Sequence, residues 1–262
     1  GDHRDLHAFP TRRSSDLLTQ RDFTGMGPEY TLKNGVYEHA SVSTAKPLRN
    51  AGIPDLDFQV QYNPDSTEHF FGAGIDYKSI VPELFTVNPS KNLRFASDTR
   101  LNSISGIVFA KMKFKPVTAK IEAVYAQNPT DMLMIGGYAV EQITDTTGTK
   151  EFINLNTASL WVDVHTNGQK VQFGLFAGYT KNMGAKDSIQ TSLFYARGSD
   201  LDQVFRVAPR IVFISGKLNI AAELEYTNAQ YGTANSNGKG EVTKNLKSVA
   251  NTRALLAFIY KF

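Results

Sequence analysis

The chain has no cysteine, one tryptophan, five histidines and ten prolines in 262 residues. Without cysteine there is no disulfide framework, no thiolate zinc site and no cysteine nucleophile. Lys and Arg number 28 against 25 Asp and Glu, a net charge of +3, so no charge of one sign dominates and nucleic acid is not an expected partner. Long apolar runs are also missing. Stretches such as Ala254–Tyr260 fall far short of the roughly 18 residues that a membrane helix requires. Hydrophobic residues nevertheless make up 41% of the chain, with 17 Phe and 11 Tyr, which argues against disorder. A transmembrane β-barrel passes this filter, because its signature is alternation rather than apolar runs.

Residues 1–17 stand apart. Phe9-Pro-Thr-Arg-Arg-Ser-Ser-Asp-Leu17 reads as the in-frame translation of a short-read sequencing adapter, and the segment lacks any periodicity. It is expected to be non-native and is excluded from fold reasoning. Residues 18–262 are expected to form a single barrel domain, incomplete at its N-terminus.

From about residue 53 the pattern has period two. Apolar rows run through Leu56–Tyr62, Phe71–Tyr77, Ile104–Phe114, Val117–Tyr125, Ala158–Val164, Val171–Tyr179, Val207–Phe213, Leu218–Tyr226 and Ala254–Phe262. They predict nine strands of about ten residues, the length that a tilted strand needs to cross a bilayer. Two-residue turns at Asn167-Gly168 and Ser215-Gly216 match apolar rows across each hairpin. They set Val164 opposite Val171 and Phe213 opposite Leu218. A turn at Lys115-Pro116 sets Phe114 opposite Val117 and Lys111 opposite Lys120. Pro209 inside a strand suggests a bulge.

Long polar segments at 81–102, 128–151, 181–203 and 228–249 alternate with these short turns. Met132–Val140 and Ile189–Arg197 are read as structured parts of loops, since counting either as one further span would break the short-turn, long-loop asymmetry. The expected fold is therefore an all-β, antiparallel up-and-down transmembrane barrel with short periplasmic turns and long extracellular loops. A soluble β-sandwich is the competing architecture.

In a barrel the apolar row faces lipid and the second row lines the lumen. The second rows supply the candidate pore-lining residues Lys111, Lys113, Lys120, Glu122, Asp163, Arg206, Arg210, Glu223, Glu225 and Arg253. In the predicted register Arg206 lies opposite Glu225, Arg210 lies diagonal to Glu223, and Lys111 faces Lys120. The like-charged lysines, with Lys113 nearby, predict mild anion preference. Inward Ile107, Phe109, Phe176, Val212 and Ile214 sustain the alternative of a transporter for hydrophobic solutes. A closed structural or adhesive barrel that binds through loops 128–151, 181–203 and 228–249 is a third reading.

No catalytic constellation emerges. His39, His69 and His165 share no metal-ligand spacing. Ser43-Thr-Ala-Lys46 matches S-x-x-K without its partner motifs and is read as chance. Ser159 and His165, six residues apart on one strand, lie about 20 Å apart. No enzyme activity, cofactor or metal is expected.

The C-terminus is the most specific local feature. Asn251-Thr-Arg-Ala-Leu-Leu-Ala-Phe-Ile-Tyr-Lys-Phe262 has apolar residues at every second position and ends on Phe. It is similar to the assembly signal of bacterial outer-membrane barrels, carried here by Phe258, Tyr260 and Phe262. Together with Val207-Ala-Pro-Arg-Ile-Val-Phe213, Gly216-Lys-Leu218 and Glu225-Tyr-Thr-Asn-Ala-Gln-Tyr-Gly232, the chain resembles porin-like outer-membrane proteins of the Bacteroidota type. The resemblance spans roughly 23–262, from Phe23-Thr-Gly-Met-Gly27 onward. It implies a passive channel for small hydrophilic solutes in the bacterial outer membrane, with lipid and the barrel-assembly machinery as partners and a homotrimer left open. It also suggests that loop 81–102, with Lys91, Arg94 and Arg100, folds inward as a constriction. If Phe262 ends in the periplasm, counting back makes the strand at 53–62 run inward too. Nine strands cannot close an even-numbered barrel, so at least one more is expected, in an intact barrel of about 12 to 18 strands.

Overall fold

Every alternating row becomes a strand. In the computed structural model, which describes Ala51 and residues 53–64, 68–88, 93–143 and 148–262, the main sheet follows the chain without a crossover. Its path is β1 (Leu56–Tyr62), β2 (Phe70–Ile80), β5 (Leu101–Lys113), β6 (Val117–Gln127), β8 (Lys150–Thr166), β9 (Val171–Ala185), β11 (Leu201–Ser215), β12 (Leu218–Ala234) and β13 (Val242–Tyr260). These are the nine strands predicted, each antiparallel to its neighbours. No helix occurs among the described residues. The fold is all-β, antiparallel and up-and-down. Residues 1–17, Phe23–Gly27, His39, Ser43–Lys46 and Lys91 lie outside the described residues.

Several strands outrun their apolar rows at the long-loop end. β8 begins at Lys150 and β12 continues to Ala234. Backbone pairing persists there after the side-chain alternation has faded, because loops rather than one uniform medium cover those strand ends. Four short strands build the loops. β3 (Phe85–Asn88) and β4 (Leu93–Ala96) form their own two-stranded sheet inside 81–102. β7 (Gly136–Ile143) continues along the edge of β8 where β6 stops, and β10 (Phe194–Arg197) pairs with β7. The segments read as structured loops are thus short strands off the nine-strand path.

Among the described residues, the clustered apolar core sits in this loop layer. Ala139, Leu155, Ala185 and Ile189 form one cluster, with Phe194 against it. Ile80, Leu101 and Tyr138 form another, in which Tyr138 stacks on Tyr195 at 5.2 Å and meets Phe152 edge-on at 5.8 Å. Burial pushes the Tyr138 hydroxyl pKa upward, with Tyr195 and Glu83 adding to the effect.

The register corrects two of the three predicted turns. Lys111 does face Lys120, and the Phe114 N–H donates to the Val117 carbonyl at 2.8 Å, as expected for the Lys115-Pro116 turn. Across β8 and β9, however, Val164 meets Leu175, not Val171. Neither Asn167 nor Gly168 takes the positive φ of a two-residue Asn-Gly turn. Asn167 is instead bound to the neighbouring hairpin: its N–H donates to Pro116 O (2.9 Å), its Nδ2 to Phe114 O (2.7 Å), and it accepts from Thr118 Oγ1 (2.8 Å). Across β11 and β12 the turn moves on by one residue to Gly216-Lys217, so Ser215 meets Leu218 and Phe213 meets Ile220. Gly216 has φ 58° and carries the primed geometry that a right-twisted hairpin requires. Both corrections shift the pairing by an even number of residues, so the two faces stay as predicted. Pro209 interrupts direct β11–β12 pairing between Val207 and Arg210 without shifting it; no bulge forms there.

Candidate functional site

The two faces of the sheet carry opposite chemistry, and the usual relation of polarity to exposure is inverted. One face presents Phe58, Ile75, Ile104, Val108, Leu160, Phe173, Leu175, Phe213, Leu224, Leu256 and Phe258, all exposed, with Phe58 at 67% and Phe258 at 66%. The other face carries the charged rows, and Asp76, Lys78, Ser103, Ser105, Thr118, Glu122, Thr157 and Asp163 on it are buried. The site is this polar face.

At the short-turn end its charges form a connected set. Lys113 Nζ reaches both oxygens of Glu68 at 2.6 Å, and this hydrogen bond lowers the Glu68 carboxyl pKa. Lys111 and Lys120 are directly opposite, and Asp163 faces Lys120 from β8. Arg210 then reaches Asp163 across the whole of β9 in a two-pronged contact, Nη1 to Oδ2 at 2.6 Å and Nη2 to Oδ1 at 2.8 Å, with His165 Nδ1 3.4 Å from the same carboxylate. The intervening position is Gly174, and a Cβ there would lie 2.6 Å from Arg210 Nε. The missing side chain is what lets the guanidinium lie over β9.

The predicted pairs on β11 and β12 are therefore rearranged. Arg206 is opposite Thr227, to whose Oγ1 its Nε donates at 3.0 Å, and meets Glu225 only diagonally at 3.4 Å. Glu225 faces Arg253, whose Nη2 lies 2.9 Å away. Arg210 is opposite Glu223, not diagonal to it, and directs its guanidinium to Asp163. The cause is the displaced turn, which slides β12 by two residues relative to the expectation. Glu122 accepts from Trp161 Nε1 at 3.0 Å, an interaction not anticipated from the sequence. Trp161 packs on Phe176 with ring centroids 6.0 Å apart, and Phe109 meets Phe70 edge-on at 5.9 Å, so aromatic rings stand among the charges. The sequence signal for the Arg210–Asp163 contact was a glycine in the polar row of β9, set between an acidic row and a basic one.

The segment that folds over the polar face is 128–136. Thr157 Oγ1 donates to Ile135 O at 2.7 Å, and Lys78 Nζ donates to Asn128 O at 2.7 Å. In loop 81–102, Arg94 stacks 4.8 Å over Phe85 of its own hairpin and Arg100 Nη1 donates to Ala51 O at 2.7 Å. At the C-terminus, Phe258 faces Ile220 and Tyr260 faces Leu218 on the apolar side, and Tyr260 meets Phe262 edge-on at 5.6 Å. The Lys261 N–H donates to Lys217 O at 2.9 Å, tying the chain end to the displaced turn. No group of three or more metal-ligating side chains occurs among the described residues. No protein-family model, curated protein or solved structure matches the chain.

Proposed function

We propose that the sheet is wall of a bacterial outer-membrane β-barrel that acts as a porin-like channel for passive diffusion of small hydrophilic solutes and ions. One observation carries the reading: large apolar residues are exposed along one face while Asp76, Lys78, Glu122 and Asp163 are buried on the other. Leaving an apolar face of this extent in water is unfavourable, whereas lipid is its natural solvent. Aromatic positions support the same reading. Tyr62, Phe114, Phe213 and Tyr260 mark the short-turn end, and Tyr77, Tyr125, Tyr179 and Tyr226 mark a second band. Leu218, the partner of Tyr260, lies about 27 Å along β12 from Tyr226, or about 20 Å of height at a barrel tilt. That is close to the ~25 Å apolar band between interfacial girdles.

Conduction needs no cofactor: solute diffuses along the polar face, and fixed charges set its preference. Lys111 and Lys120 stand directly opposite each other on that face, Lys113 pairs with Glu68, and Arg210 pairs with Asp163. The test is single-channel recording in a planar bilayer. Stepwise ohmic current, with a reversal potential that moves toward cation preference in the Lys111→Glu, Lys120→Glu double variant, is the expected result. A folded barrel without current would favour the second reading, a transporter of hydrophobic solutes, for which Phe109, Trp161 and Phe176 on the polar face speak.

A further inference from the structure

A buried lysine is the charged fastening of segment 128–135, between β6 and β7, to the polar face at the long-loop end. Lys78 stands in the polar row of β2 and is 2% exposed. Its ammonium donates to the Asn128 carbonyl at 2.7 Å and pairs with the Asp131 carboxylate, both on the segment. The Asn128 N–H donates to Leu155 O at 3.1 Å, and Thr157 Oγ1 holds Ile135 O at the far end. Ala126 and Thr157 lie beneath, completely covered.

A second carboxylate competes for the same ammonium. Asp76 precedes Lys78 by two residues in the same polar row, is 7% exposed, and has one oxygen, Oδ2, without a hydrogen-bond partner. Directly across from it on β1 is Asp57, a like charge. Asp55, Asp57, Asp131 and Lys78 are the charged groups acting on Asp76. One cation thus stands between a carboxylate on the covering segment and a carboxylate fixed in the sheet.

We propose that segment 128–135 is a lid over the polar face, latched while Lys78 pairs with Asp131 and released when Lys78 transfers to Asp76. Neighbours in one polar row are about 6.5 Å apart, within the swing of a four-carbon lysine stem. In the latched state Asp76 keeps an unsatisfied oxygen beside Asp57, which is costly for a covered carboxylate. Release satisfies Asp76 and carries Asp131 toward water, where hydration replaces the lost partner. The exchange of one pairing for the other keeps the two states close in free energy, which is the requirement for a switch. Backbone geometry adds to the bias toward release. Leu133 is held at φ 60°, a strained value for a side chain of its size. Gly136 and Gly137, with φ 118° and 149°, end the segment as its joint with β7.

The test is hydrogen exchange of the 128–135 amides in the full chain refolded in detergent micelles. Asp131→Asn is expected to speed their exchange by at least about tenfold, because the latch loses its charge. Asp76→Asn removes the rival and is expected to slow the same amides by about threefold. The opposite signs are diagnostic, since general loosening of the structure would accelerate exchange in both variants. Asp57→Asn, which relieves the repulsion on Asp76 in the latched state, is expected to slow exchange as well. Unchanged or faster exchange in Asp76→Asn overturns the proposal, and this arm decides alone if Asp131→Asn does not refold. The lid does not rest on the channel reading: exchange reports it equally in a barrel that passes no current.

Discussion

At the scale of single residues, the Arg210–Asp163 contact organises the polar face, and both side chains are only 10% exposed. A covered carboxylate that loses a two-pronged guanidinium partner is penalised more than the pair itself is worth. Arg210→Met is expected to destabilise the refolded chain by about 2–3 kcal/mol in urea titration. Gly174→Ala places a Cβ into the path of the guanidinium and displaces a flexible side chain, at a cost of about 1–2 kcal/mol. The two should not add: on an Arg210→Met background, Gly174→Ala is expected to be nearly neutral. Additive losses would mean that Gly174 matters for some reason other than letting Arg210 pass.

Charge at the periphery makes a pH prediction with two signs. The Glu68 carboxyl is held below its usual range by the Lys113 hydrogen bond, so its favourable contribution is present above the unfolded pKa and is lost as pH falls through the folded one. Glu141 on β7 is raised, first by burial and then by repulsion from Asp187 and Glu151. It opposes folding at neutral pH, and that opposition fades as pH falls through its raised value. Acidification should therefore increase exchange protection in the β7 hairpin while loosening the short turn that carries Glu68. Exchange rates corrected for intrinsic chemistry would check both ends in one experiment.

At the scale of elements, turn chemistry decided register. Gly216 occupies the first central position of the β11–β12 turn with positive φ and open space around it. Gly216→Ala is expected to cost about 1 kcal/mol through backbone strain alone, measured as a lower urea midpoint at unchanged slope. The displaced turn explains why the charge pairs of β12 were misassigned while its faces were not. Asn167 shows the other limit of local reading. Asn-Gly is a strong hairpin signal, yet Asn167 spends its side chain on Phe114 and Thr118 of the adjacent hairpin, and the β8–β9 turn forms beyond it. Nothing in the flanking sequence announces a neighbour that is brought alongside only by the sheet.

For the whole molecule, the inverted arrangement of polarity is the property that matters. A soluble sandwich would cover the Phe58, Val108, Leu160, Leu224 and Phe258 side; here those residues are exposed, while Asp76, Lys78, Glu122 and Asp163 on the other side are buried. The proposed membrane barrel predicts that the refolded protein needs detergent or lipid to remain dispersed and migrates differently on a gel before and after boiling. A form soluble without detergent, with mobility indifferent to heating, would count against the proposed environment.

Nine strands, their order, the up-and-down connectivity and the assignment of each residue to a face were legible in the sequence. Period-two alternation is imposed residue by residue, and an even shift in pairing leaves it untouched. The Lys111–Lys120 opposition was legible for the same reason, since the turn that sets it begins only four residues after Lys111. Tertiary structure decided what depended on distance across the sheet. It set the register of β9 and β12, the passage of Arg210 over Gly174 to Asp163, and the Trp161–Glu122 bond. It also brought 128–135 down onto Lys78, joining residues some fifty positions apart. Alternation records which way a side chain points; which partner it finds there is fixed only when neighbouring strands have chosen their register.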